Sequence, residues 1–85
     1  MKANTWFVYI IQSEKGKLYT GITTDVQRRF EQHQTGKGGA KYFRTDPPVQ
    51  IVHIEEVQNR SEASKREAAI KKMSRHQKDL LIAKI

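Results

Sequence analysis

Apolar residues gather in three clusters, Trp6–Ile11, Ile51–Val57 and Leu80–Ile85, with polar stretches of different rhythm between them. Thr5 to Gln12 is a continuous aromatic and β-branched run, the pattern of a strand covered on both faces. Ser13 to Gly16 reads as a turn, with glycine at the position that can take a positive φ. Lys17 to Thr23 is a second strand, so the chain opens with a hairpin. Gly21 lies inside that strand, where a glycine marks a bulge or a close backbone approach. Thr24 and Gln27 have the spacing of a capping box. They predict a helix running to about Thr35, with Gly36 as its C′ residue. A glycine-rich, basic and aromatic loop follows to Pro48. Gln50 to Val57 is a third strand. Asn59 with Glu62 predicts a helix to about Met73, and Ser74 with Gln77 a short final helix. The order strand, strand, helix, strand, helix, helix predicts an α+β domain on a small, mainly antiparallel three-stranded sheet.

Some residues break the apolar rhythm. On the first helix Val26, Phe30 and His33 share one face, and Arg29 lies on it too. The ordinary reading is an arginine stem running along the core edge and a hydrogen-bonded boundary histidine. The alternative is a functional pair at i and i+4. On the second helix Glu67 falls on the stripe of Ala63 and Ile70, yet carboxylates are almost never fully buried without a partner. A salt bridge, with Lys71 at i+4 or with an arginine of the first helix, is one explanation; a metal ligand is another. Tyr9 and Tyr19 occupy the two strands of the hairpin. They share a face only if paired residue numbers sum to an even value, as with Ser13 opposite Lys17.

The 85 residues bound the reading to one domain, residues 1–85. There is no cysteine, which excludes disulfide scaffolds, thiolate zinc sites and cysteine nucleophiles. No segment resembles a signal peptide or a membrane span, so a cytoplasmic protein without membrane contact is expected. The net charge is +7, spread as +4 up to Pro48 and +3 beyond it. Such a balance fits a nucleic-acid partner, or simply a basic surface. Lys37, Lys41, Tyr42 and Arg44 form a basic loop with aromatics, suited to contacting and stacking on a strand. Arg60 to Lys78 carries seven basic and two acidic residues, either a solvated face or a set of phosphate contacts. His33, His53 and His76 lack zinc spacing; His53 is expected to face solvent from its strand. The Gly36–Gly39 stretch follows a helix, so it does not read as a phosphate loop.

Phe7-Val8-Tyr9 on one strand and Tyr19-Thr20-Gly21 on the next resemble the two motifs of the GIY-YIG nuclease superfamily. An arginine ten residues after the second tyrosine matches Arg29, and a His four residues further matches His33. Arg66-Glu67-Ala-Ala-Ile-Lys-Lys72 resembles the superfamily's stretch around a metal-binding glutamate. The likeness runs from Thr5 to about Leu81 and is nearest to small stand-alone bacterial members. The first motif lacks its usual Gly and Ile, and no asparagine follows Asn59.

The resemblance implies a metal-dependent nuclease that hydrolyses phosphodiester bonds of nucleic acid, DNA in the first instance. Tyr19 would take the proton of the attacking water. A tyrosine ionises near ~10 on its own, so this role needs positive charge beside it. Arg29 would clamp the phosphate as a fixed fork, and Tyr9 and His33 would orient the water or assist proton transfer. Glu67 would hold Mg²⁺, or another divalent cation such as Mn²⁺. Gly21 and Lys71 are expected to join the loop residues in contacting nucleic acid. Two other classes compete. One is a non-catalytic nucleic-acid-binding module of the same fold. The other is a partner-binding domain using Leu80, Leu81 and Ile85, which otherwise pack on the sheet.

Overall fold

A computed structural model describes residues 5–36 and 45–83. Strand β1 (Trp6–Ser13) is the centre of a three-stranded sheet, with β2 (Leu18–Thr23) on one side and β3 (Pro48–Val57) on the other. Both pairings are antiparallel. Helix α1 (Val26–Thr35) links β2 to β3, and helices α2 (Arg60–Lys71) and α3 (Arg75–Ala83) follow. The sheet is therefore the expected α+β arrangement.

The central position of β1 explains its unbroken apolar run. Val8, Tyr9, Ile10 and Ile11 are all buried, because both faces of the strand are covered. Val8 and Ile10 pack with Ala63 and Ile70 of α2, and Leu81 and Ile82 of α3 close that layer. Tyr9 and Ile11 point the other way, onto Phe30 and Val26 of α1. The final helix thus gives two of its apolar side chains to the sheet, while Leu80 stays exposed.

Paired residues of β1 and β2 sum to 30, as in Tyr9 opposite Gly21 and Ile11 opposite Tyr19. The sum is even, so Tyr9 and Tyr19 project from one face. The β1–β3 register shifts between Ile10 and Ile11 and again between Gln12 and Ser13. A bulge of this kind places an extra residue in one strand. It brings Ile51 opposite Ile11 and into the layer under α1, while Val52 packs on the α2 side.

The cap of α1 and the start of β3 differ from the sequence expectation, and the ends of β1, β2 and α2 move by one or two residues. The N-cap of α1 is Asp25, not Thr24: its carboxylate accepts the Arg28 N–H at 3.1 Å, and its own N–H is held by Thr23 Oγ1 at 3.1 Å. A carboxylate at that place also suits the positive end of the helix. Strand β3 starts at Pro48, two residues early, because β3 is an edge and its first residue can lack an N–H donor. Gly36 ends α1 in the left-handed region, at φ 77°. The Ser74–Gln77 box is reciprocal, with each backbone N–H bonded to the other's side chain.

His53 is a further difference. It does not face solvent but bonds Glu55 Oε2 at 2.8 Å, and Arg66 of α2 grips the same carboxylate with Nε at 2.7 Å and Nη2 at 3.0 Å. The Arg66 hydrogen bond, against the opposing effect of burial, holds the Glu55 carboxyl below its ordinary value. This chain ties α2 to β3.

A second polar clamp closes the hairpin end of the sheet. Ser13 Oγ donates to Asp46 Oδ2 at 2.6 Å, the Lys15 N–H donates to Asp46 Oδ1 at 2.9 Å, and the Glu14 N–H reaches Pro47 O at 2.8 Å. Burial pushes the Asp46 carboxyl up, but the Ser13 and Lys15 hydrogen bonds and the Lys15 and Lys17 charges outweigh it, so it ionises below 3.8. A carboxylate lowered on folding stabilises the fold above its unfolded value, and that contribution is lost as pH falls through the folded one. Asp46→Asn should therefore lower Tm by several degrees at neutral pH. The gap to the parent should close as pH drops below about 4. Thermal unfolding followed by circular dichroism across pH 2.5–7 checks this; a gap independent of pH would contradict the charged clamp.

Candidate active site

Three rings from three elements meet on the α1 face of the sheet. Tyr9 of β1 and Tyr19 of β2 lie with ring centroids 6.5 Å apart. His33 of α1 stands 6.2 Å from Tyr9 and edge-on to Tyr19 at 5.3 Å. Tyr9 Oη and His33 Nε2 are 3.0 Å apart in a buried hydrogen bond. Neither residue is more than 2% exposed. This neighbourhood follows from local rules: even register sets both tyrosines on one face, and the helical repeat sets His33 one turn from Arg29.

Gly21 makes the arrangement possible. It sits opposite Tyr9 in the ladder, and the tyrosine ring lies over it. A Cβ added there would come within 2.5 Å of the Tyr9 hydroxyl oxygen and 2.6 Å of Cζ. No side chain fits without moving the ring. The glycine is thus a close approach between strands.

Burial pushes the Tyr9 hydroxyl up to about 12, with the Tyr19 and Glu67 charges adding to the effect; a hydrogen bond and charge from Arg29 oppose it. Tyr9 is accordingly a neutral phenol at physiological pH. Burial, reinforced by the Arg29 charge, lowers His33 to about 4, so its imidazole is neutral as well. Between those two values neither member of the pair changes charge.

Arg29 borders the rings, and its Nη1 donates to Gln32 Oε1 at 2.9 Å. Gln32, one helical turn from Arg29, is a residue the sequence reading passed over; its i+3 spacing was the available signal. Glu67 approaches from α2, the helix on the other side of the sheet. It is near enough to raise the Tyr9 hydroxyl, and its side chain is 23% exposed. Lys71 Nζ lies 3.2 Å from Glu67 Oε2, so the i+4 salt bridge exists. Lys71 is thereby a neighbour of the site, largely in solvent. Lys37, Lys41, Tyr42 and Arg44 lie outside the described residues.

Among the described residues no group of three or more His, Cys, Asp and Glu side chains is placed to enclose a metal. The donor chemistry instead fits a magnesium-type ion that keeps most of its waters and takes one carboxylate. Glu67, whose charge reaches Tyr9, is the carboxylate that could hold it.

Two measurements test this geometry. The His33 ring should titrate near 4 by NMR. Because its folded value is lowered, the stability it supports is complete above about 6.5 and is lost as pH falls from there through 4. Gly21→Ala should leave a folded chain destabilised by about 1–3 kcal/mol through overpacking. It should also displace Tyr9 and raise the His33 midpoint as the imidazole becomes exposed. An unchanged midpoint would show that Tyr9 does not depend on Gly21.

The chain has known relatives. The model of the GIY-YIG catalytic domain matches residues 5–79. A UPF0213 protein of Desulfotalea psychrophila is 51% identical over 77 residues, covering 91% of this chain and 70% of that one. The UPF0213 protein YhbQ of Escherichia coli K12 is 46% identical over 78 residues, covering 92% and 77%. Two solution NMR structures share the fold. The UPF0213 protein BH0048 of Bacillus halodurans has a TM-score of 0.59 at 39% identity, with 93% of this chain and 83% of that one covered. The E. faecalis protein EF2693 has a TM-score of 0.64 at 37% identity, covering 95% and 85%. With residues 5–79 matched by the family model and nearly the whole chain matched by its relatives, the protein belongs to the GIY-YIG family and groups with its UPF0213 members.

Proposed function

We propose that the chain is a metal-dependent nuclease hydrolysing phosphodiester bonds of nucleic acid, DNA in the first instance. The observation that carries this is the meeting of Tyr9, Tyr19 and His33 with ring centroids 5.3–6.5 Å apart, beside Arg29. Phosphodiester hydrolysis needs a base for the water, donors on the phosphate oxygens and positive charge as negative charge develops. Arg29 offers a planar, permanently charged fork for the phosphate, held in place by Gln32. Tyr19 takes the proton of the attacking water. Tyr9 is held neutral, so it positions that water rather than deprotonating it, with His33 fixing the direction of its hydroxyl. A divalent cation at Glu67, when bound, supplies charge at the leaving oxygen. Lys71 leaves Glu67 at little cost, because an ion pair this exposed is worth only about 0–1 kcal/mol.

The basic surface and the family fold support a nucleic-acid substrate. Among the described residues no helix is long and apolar enough to cross a membrane. The test is cleavage of labelled single-stranded, duplex and branched DNA and RNA, with Mg²⁺ or EDTA. Cleavage should vanish in EDTA and fall at least about 10²-fold in Tyr19→Phe, Arg29→Lys and Glu67→Gln. Full activity in those variants would sink the assignment. Salt-sensitive binding without any cleavage would point to a binding module instead.

A further inference from the structure

A concavity reaches Arg29 and Gln32 but none of the three rings, and its other residues have no part in the chemistry proposed above. It is a cleft of about 340 Å³ at the end of the sheet where β1 begins, β2 ends and α1 starts. Trp6 and Ile22 supply its apolar lining. Arg28 and Arg29 bring two guanidinium groups to it, and Thr24, Asp25 and Gln32 bring hydrogen-bonding groups. The first-turn N–H of Arg28 is already taken by Asp25.

We propose that this cleft holds the base of a nucleotide adjacent to the scissile phosphate, with the nucleotide's own phosphate on Arg28. This rests on the reading of the chain as a nuclease acting on nucleic acid. The volume lies at the small end of ligand sites, which suits one nucleotide. The mixture of linings matches a base, which has apolar faces and a polar edge. A bare phosphate would gain nothing from Trp6 and Ile22 and would meet the Asp25 carboxylate. Arg29 lines the cleft and also borders the ring cluster, so one side chain connects the two positions. A nucleotide seated in the cleft leaves its neighbouring phosphate at Arg29. Arg60 lies over the Trp6 ring at 5.7 Å, which steadies the indole as one wall of the cleft. The substrate would then be a strand whose bases are accessible at the point of cutting, because a base paired within a duplex cannot enter.

Trp6 is the single tryptophan of the chain, so its indole N–H gives one NMR signal inside the cleft. Binding of a short single-stranded DNA oligonucleotide is followed in EDTA, by anisotropy for the whole protein and by the indole signal for the cleft. An abasic oligonucleotide of equal charge and inorganic phosphate serve as companion probes. The base-bearing strand should shift the indole signal several-fold more than either. Arg28→Gln should weaken binding several-fold and reduce that shift. Equal shifts from the abasic strand or from phosphate would overturn the base subsite. So would a strand that binds by anisotropy and leaves the indole signal unmoved, with the nuclease reading intact. No binding of any nucleic acid would overturn both readings together.

Discussion

The ring of Tyr9 lying over Gly21 is the constraint on which the rest of the site depends. Tyr9 is on the central strand, so its side chain is buried whatever else happens. Glycine inside a strand costs about 0.5–1 kcal/mol of backbone freedom, whereas burying a large side chain contributes about 1.5–3 kcal/mol. The ring therefore settles onto the bare backbone of Gly21, and its hydroxyl arrives at one height above the sheet. His33 meets it there. Arg29, one turn earlier on the same helix, then has a defined place beside the phenols. Without that close approach, His33 would lose the buried hydrogen-bond partner that the sheet offers it.

The sheet separates two kinds of chemistry. One face of β1 carries Val8 and Ile10 against α2 and α3, an apolar layer that holds the fold together. The other carries Tyr9 and Ile11 against α1, a layer in which polar groups are buried as neutral partners. Glu67 comes from the helix of the first layer, yet its charge is felt at Tyr9. Its position depends on how α2 is fastened, by the packing of Ala63 and Ile70 on β1 and by the grip of Arg66 on Glu55. Arg66 is the residue beside Glu67 in sequence, so the placement of Glu67 follows an ion pair made with β3.

Features set within one turn of chain were legible from the sequence. The face shared by Val26, Phe30, His33 and Arg29 is seen in α1, as are the left-handed Gly36 and the caps at Asn59 and Ser74. Features set between distant segments were not. Whether Tyr9 and Tyr19 share a face depended on the hairpin register, which a four-residue turn leaves open. The bulge that turns Ile51 toward Ile11 has no marker in Gln50–Val57. His53 looked like an exposed strand residue because its partner Glu55 is itself held by Arg66, eleven positions away. Asp25 displaced Thr24 as the cap because both are good caps, and only the observed Arg28 N–H bond distinguishes them. The cleft beside Trp6 is assembled from two strands and a helix and had no signature in any one of them.

The clamp around Asp46 has a consequence for how such chains can diverge. On one side, α1 ends at a left-handed glycine; on the other, Ser13 and the Lys15 N–H fasten the chain at Asp46 just before β3. The segment between these two anchors, 37–44, is rich in basic and aromatic residues. Lengthening a stretch whose two ends are fixed costs little loop-closure entropy. Insertion or replacement between the two anchors therefore leaves the register of the sheet and the ring cluster as they are.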